Sequence, residues 1–102
     1  MSTLTYYTHP QSRGRIAHWM LEELGEPYHT VWLEYGAAMK SSEYLAINPM
    51  GKVPALRDGA VVVTESAAVC AYLADRFAYK GLAPPLGSAQ RAAYFRWMFF
   101  TA

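Results

Sequence analysis

The sequence contains a single cysteine, Cys70. That excludes an internal disulfide and any CxxC redox or zinc pattern, since each needs at least two thiols within reach of one another. An excess of either charge is also missing: nine Lys and Arg face eight Asp and Glu, for a formal net charge of +1. No basic tract or stripe offers a footprint for nucleic acid, and no acidic tail is present. No apolar run approaches the ~20 residues that cross a bilayer. Residues 1–13 are polar and lack the apolar centre of a signal peptide. His9, His18 and His29 have no metal-spaced partners. These absences lead us to expect a soluble domain of a reducing, cytoplasmic compartment, with no metal, no nucleic-acid partner and no membrane partner.

What is present can fill a core. Of 102 residues, 53% are hydrophobic and 15% aromatic. The length suits one domain, and a domain this small is only marginally stable by burial alone. Residues 3–8 (Thr-Leu-Thr-Tyr-Tyr-Thr) are β-branched and aromatic and predict a strand. Pro10 keeps residues 9–12 a loop, and Ser12 stands where a helix N-cap belongs. Ile16, Ala17, Met20, Leu21 and Leu24 fall at helical spacing, so a helix is expected over 13–24, ended by Gly25 with Pro27 beyond. Residues 28–33 alternate and predict a second strand. A short helix is expected over 41–45. Residues 53–57 and 60–64 are apolar runs joined by Asp58-Gly59, a type I′ hairpin signal. Residues 65–77 predict a helix with Val69, Leu73 and Phe77 on one face. Gly81, Pro84, Pro85 and Gly87 mark a linker over 81–87. Ser88 is expected to cap a last helix running to the end. The order β-α-β then β-β-α suggests an α/β (α+β) thioredoxin-like fold on a four-stranded mixed sheet.

Three segments carry chemistry. They are Tyr6-Tyr7-Thr8-His9-Pro10-Gln11-Ser12-Arg13-Gly14-Arg15, then Asn48-Pro49-Met50-Gly51-Lys52-Val53-Pro54, then Thr64-Glu65-Ser66 opening a helix. Together they resemble the N-terminal domain of glutathione transferases, most closely the bacterial and fungal members with serine or cysteine at the first helix. The resemblance implies glutathione as co-substrate, activation of its thiol for attack on a small electrophile, a homodimer, and a thioredoxin-like unit over 1–80. Residues 88–102 would then be the first helix of an all-helical C-terminal domain that is otherwise outside the chain, so that the chain alone has little or no activity. It also implies a cis Val53–Pro54 bond that leaves the Val53 N–H and C=O free to pair with an extended peptide.

The residues can be weighed without the resemblance. Glutathione offers two carboxylates, an ammonium and a thiol. A helix N-terminus at Glu65 and Ser66 attracts a carboxylate, and Glu65 can accept from an ammonium; equally, Glu65 can simply complement the dipole and Ser66 cap the helix. Lys52 can reach a ligand carboxylate or remain a solvated lysine. Arg13 and Arg15 lie in a first turn, where an anionic ligand or surface carboxylates would offset the dipole. Ser12 is the candidate catalytic residue: a hydrogen bond to a thiolate contributes roughly 1.5–3 kcal/mol, more than the roughly 0.3–1 kcal/mol of a helix N-terminus. Its other reading is a cap alone. Tyr6 or Tyr7 is the alternative, as in transferases that use a tyrosine at the end of the first strand. The site expected is therefore Ser12, Arg13, Lys52, Val53, Pro54, Glu65 and Ser66.

Two other functions remain open. One is a non-catalytic binding or scaffold module of the same family. The other is a glutaredoxin-like oxidoreductase, which would need a cysteine near Ser12. Cys70, among Val69, Ala71 and Leu73, reads as a buried inert thiol. Trp19 and Trp32 read as core or interface packing. The final stretch, with Tyr94, Phe95, Trp97, Met98, Phe99 and Phe100, is apolar around most of a helix circumference, and self-association, or exchange of this helix with a neighbour, is expected through Trp97, Phe99 and Phe100.

Overall fold

The fold is described from a computed structural model that defines residues 3–101. The first strand, β1 (Leu4–Thr8), lies inside the sheet, and the strand order is β2-β1-β3-β4. A helix, α1 (Gly14–Leu24), returns the chain to β2 (His29–Trp32), which pairs parallel to β1 with Tyr6 opposite Thr30. After a short helix, α2 (Ser42–Leu45), the chain crosses to β3 (Ala55–Asp58), antiparallel to β1, and turns back as β4 (Val61–Thr64). A third helix, α3 (Ser66–Arg76), completes the expected β-α-β and β-β-α units. A single 3-10 turn (Ala78–Lys80) then precedes α4 (Gln90–Thr101).

Period-two alternation divides the core between the two faces of the sheet. Tyr6 stands opposite Leu56 in register, and both enter the core formed with Ala17, Leu21 and Leu24 of α1 and Val69 and Leu73 of α3. Tyr7 stands opposite Ala55, and both face the other way, against Met39 and Tyr44. The helical spacing in α1 overreached at one end: Ile16 is half exposed, because the stripe touching the sheet is Ala17, Leu21 and Leu24. Trp19 and Trp32 are exposed at 70% and 55%, so neither is core. Gly25 closes α1 in the left-handed region (φ 71°), as a C-terminal glycine does.

The β3–β4 hairpin departs from the expected turn. Asp58 pairs with Val61, so the connecting residues are Gly59 and Ala60, and only Gly59 has positive φ (61°). That sign pattern fits a II′ turn; I′ needs positive φ at both positions. The displaced Asp58 gains a structural role. Its carboxylate accepts from Thr3, from the Tyr72 hydroxyl at 2.7 Å and from Arg76 Nε at 3.1 Å, tying the hairpin to α3.

Ser88 does not cap α4 with its side chain; its hydroxyl donates to the Pro85 carbonyl at 2.7 Å. Arg91 anchors the helix instead. It donates to the Pro84 carbonyl at 3.1 Å, lies 3.8 Å from Asp75 of α3, and stacks over Tyr94 and Phe95. Arg91, Tyr94 and Met98 are half-buried on one side, while Phe95, Trp97, Phe99 and Phe100 are exposed.

Candidate functional site

At the C-terminal end of β1 the chain enters a loop built around one carbonyl. The His9 C=O accepts both the Ser12 N–H at 3.0 Å and the Ser12 hydroxyl at 2.7 Å. The same hydroxyl oxygen accepts from the Gly14 N–H at 3.1 Å, so Ser12 closes the start of α1 from one residue before the helix cap, Arg13. The two tyrosines of β1 sit elsewhere. Tyr6 is fully buried, its hydroxyl donates to the Gly14 carbonyl at 2.5 Å, and burial pushes its pKa well up. Tyr7 packs against Tyr44 on the opposite face of the sheet. Neither tyrosine lines the clefts described below.

The second wall is the turn before β3. Asn48 organises it by accepting from the Met50 N–H at 3.1 Å and donating to the Lys52 carbonyl at 2.8 Å. Tyr44 donates to the same carbonyl at 2.6 Å, and burial pushes its pKa up to about 12, which keeps the donor protonated. The Val53–Pro54 peptide bond is cis. Among the described residues, the Val53 N–H and C=O make no hydrogen bond. Buried main-chain groups are nearly always paired, so an unpaired donor and acceptor on a cleft wall can pair with an extended peptide.

The third wall is the start of α3. Glu65 has φ 76° and ψ 127°, a conformation L-residues rarely adopt. Holding a non-glycine residue there costs about 1–3 kcal/mol, and such residues cluster where a ligand is held. No side chain caps the helix, so its first N–H groups point outward with the positive end of the dipole. The Glu65 carboxylate has no protein partner among the described residues. Ser66 donates to the Arg13 carbonyl at 3.3 Å, locking the start of α3 to the start of α1. Burial raises the Cys70 pKa, which keeps its sulfur a thiol.

These walls enclose two clefts. The first, of 480 Å³, is lined by Arg13, Lys52, Val53, Pro54, Glu65 and Ser66, with Cys70 and Met98 behind them. The second, of 490 Å³, is lined by Gln11, Ser12, Arg13, Tyr35, Lys40 and Lys52, and it too reaches Val53. They meet at Arg13, Lys52 and Val53, so all seven residues singled out from the sequence fall on this one tract of surface.

Lys40 was not singled out. Its ammonium donates to the carbonyls of Met50 and Gly51 at 3.3 and 3.2 Å and has no anionic partner among the described residues. A signal for it existed: a lone lysine just ahead of a serine-capped helix, since the Ser41 hydroxyl accepts from the Tyr44 N–H. The charges are divided. Among the described residues, the second cleft carries Arg13, Lys40 and Lys52 and no carboxylate, while the first adds Glu65 beside an open helix N-terminus. Such a tract suits an extended molecule with a carboxylate at each end and an ammonium at one end only.

Residues 13–76, more than half of the chain, match the family model of the glutathione S-transferase N-terminal domain. The chain belongs to that family. Glutathione S-transferase 3 of Zea mays is 36% identical over 96 residues, which are 89% of this chain and 43% of the maize protein. The theta class glutathione S-transferase of Xanthomonas axonopodis pv. citri, solved with glutathione bound, superposes with a TM-score of 0.85 at 38% identity. That match covers 99% of this chain and 49% of the Xanthomonas chain. The glutathione transferase URE2P6 of Phanerochaete chrysosporium, solved with oxidised glutathione, gives a TM-score of 0.89 at 31% identity, with 99% and 49% covered. The chain thus spans about half the length of these relatives or less. The thioredoxin-like fold of this transferase domain, with its mixed four-stranded sheet, is as the sequence led us to expect. Among the described residues, no helix is long and apolar enough to cross a membrane.

Proposed function

We propose that this transferase domain binds glutathione along the line from Glu65 through Val53 to Lys40. The observation that carries the reading is the unpaired main chain of Val53 between two ends of opposite character. Glu65 takes the γ-glutamyl ammonium, and Ser66 with the open N-terminus of α3 takes the adjacent carboxylate. Val53 pairs with the cysteinyl backbone, beside Pro54. Lys40, Lys52 and Arg13 surround the glycyl carboxylate. This arrangement leaves the thiol near Ser12, whose hydroxyl then donates to the thiolate. An unassisted thiol has a pKa of about 8.5 and is mostly protonated at neutral pH.

The same reading extends to the whole protein. Residues 1–80 form the glutathione-binding unit, 81–87 the linker, and 88–102 the first helix of a helical domain. The complete enzyme is a cytoplasmic homodimer that directs the thiolate at a small electrophile. A second reading has one observation in its favour. The Ser12 proton is already given to the His9 carbonyl, which suits a family member that keeps the glutathione site without the chemistry.

Calorimetric titration of glutathione into the chain tests the site. Glu65→Ala weakens binding by about 1–3 kcal/mol, the magnitude of a lost hydrogen bond to a charged group. An unchanged affinity overturns the placement of the ammonium.

A further inference from the structure

Two loops face each other across the second cleft. Residues 9–12 carry the Ser12 hydroxyl, and residues 33–40 carry Lys40. The far end of the second loop is well anchored: Met39 is buried, and the Lys40 ammonium is held by two carbonyls. The near end is not. Beyond Leu33, whose N–H donates to the Thr8 carbonyl at 2.9 Å, the chain runs through Glu34, Tyr35 and Gly36, all exposed, and Gly36 has φ 89°.

One contact spans the gap there. The Tyr35 ring lies on the His9 imidazole, with centroids 4.1 Å apart and planes 34° apart. Tyr35 is 58% exposed, so burial alone does not fix its ring in this place. His9 is itself immobilised. Its Nδ1 accepts from the Gln11 N–H at 3.1 Å, and its carbonyl takes both Ser12 donors. The imidazole and the Ser12 hydroxyl thus belong to one hydrogen-bonded loop, and Tyr35 ties the opposite wall to that loop.

We propose that the Tyr35–His9 stack is a clasp that sets the width of the second cleft, and so positions the cations that hold the ligand carboxylate farthest from Glu65. This rests on the glutathione reading above. Among the described residues Glu65 is the only carboxylate lining either cleft, so the ammonium end lies in the first cleft and the other end of the tripeptide in the second. The glycine, an α-linked residue, adds about 3.5 Å of reach in an extended chain. γ-Glutamylcysteine, which lacks the glycine, ends beside Val53 and Ser12 and falls short of Lys40 at the far side of the second cleft. The clasp is thus a specificity element for the third residue. Tyr35 touches no reacting atom; it acts through His9 and through the loop that carries Lys40.

Calorimetry of glutathione and of γ-glutamylcysteine, with the wild-type chain and three variants, tests this. Tyr35→Ala weakens glutathione about three- to tenfold, the scale of one aromatic pair, and leaves γ-glutamylcysteine unchanged. Tyr35→Phe keeps the ring and restores wild-type binding. His9→Ala weakens glutathione at least as much as Tyr35→Ala, since it also frees the Gln11 N–H, and adding Tyr35→Ala to it brings no further loss. Thermal unfolding of Tyr35→Ala stays at the wild-type value, because the side chain is largely exposed. The clasp is overturned if Tyr35→Ala weakens both ligands equally, if it weakens neither, or if Phe fails to restore. A wild-type chain that binds neither ligand overturns the glutathione reading and the clasp together.

Discussion

Gly14→Ala sets two effects of known size against each other. Gly14 is the first residue of α1 and has no positive φ, so its conformation does not require glycine. Alanine in a helix is more favourable than glycine by about 0.5–1 kcal/mol, and on that ground alone the variant gains stability. Space decides otherwise. A Cβ at Gly14 would meet Thr8 Oγ1 at 2.2 Å, Ser12 Oγ at 2.9 Å and the Tyr6 hydroxyl at 3.2 Å. Thr8 is 1% exposed and its strand is paired on both sides. Its β-branched side chain has few rotamers to choose from, and turning Oγ1 away gives up its 3.4 Å approach to Ser12 Oγ. Overpacking of this kind costs about 1–3 kcal/mol.

The balance is a net loss of about 1–2 kcal/mol, or a Tm lower by roughly 5–15 °C for a domain of this size. Urea and thermal unfolding read it directly. A Gly14→Ala variant as stable as wild type, or more stable, refutes the reasoning. A double-mutant cycle locates the cause: Gly14→Ala costs less in a Thr8→Ala background if Thr8 Oγ1 is the obstacle, and the same if it is not.

The remaining expectations concern charge, chemistry and association. Three hydrogen bonds, that from Thr3 foremost and then that from Tyr72, hold the Asp58 carboxyl below its ordinary pKa, and its side chain is 8% exposed. A depressed folded pKa gives stability that is full above the unfolded pKa of about 3.9 and fades as pH falls through the folded value. Asp58→Asn therefore costs about 1–3 kcal/mol at pH 7, and the gap to wild type closes on acidification below about pH 4; a pH-independent gap in urea melts refutes this. In a two-domain protein of the kind proposed above, Ser12→Ala raises the pKa of bound glutathione by about 1 unit, the equivalent of a charged hydrogen bond less the neutral one it replaces, and slows conjugation, while Tyr6→Phe and Tyr7→Phe change neither. A pKa shift in a tyrosine variant and none in Ser12→Ala would assign the chemistry to tyrosine. The 102-residue chain self-associates through Trp97, Phe99 and Phe100, which are 52%, 78% and 75% exposed. Light scattering that shows a clean monomer at high concentration refutes that.

Much of the fold was legible because its signals are local. The β-branched and aromatic run of β1, the helical spacing of Ala17, Leu21 and Leu24, and the Gly25 stop each follow from a few adjacent residues, and the structure has all three. The misreadings come from what sits across space. Asp58-Gly59 carries an I′ signature, but Asp58 is engaged by Thr3, Tyr72 and Arg76, and the turn moves one residue on to keep those bonds. Ser88 has the composition of a cap and spends its hydroxyl on Pro85, while Arg91 does the anchoring through partners on α3 and in the linker. Lys40 carries no such local signal, because residues 35–40 form only turns. No periodicity marks such a segment, and its place beside Ser12 depends on how α2 packs against Tyr7 and Ala55.

Ser12 presents the sharpest conflict in the site, because one hydroxyl has one proton. Its oxygen is fixed by a bond it accepts, from the Gly14 N–H at 3.1 Å. That bond is compatible with donating elsewhere. The competing claim is the bond it donates, to the His9 carbonyl at 2.7 Å. Turning the proton toward a thiolate needs only rotation about the Cβ–Oγ bond, and the oxygen stays in place. The exchange gives up a neutral hydrogen bond of about 0.5–1.5 kcal/mol and gains one to a charged acceptor of about 1.5–3 kcal/mol. The His9 carbonyl is not orphaned by it, since the Ser12 N–H still donates to it at 3.0 Å. A thiolate therefore draws the hydroxyl's hydrogen bond away from His9 and a neutral thiol does not. On this arithmetic the resting bond to His9 is no obstacle to catalysis; it holds the hydroxyl in place until a charge arrives.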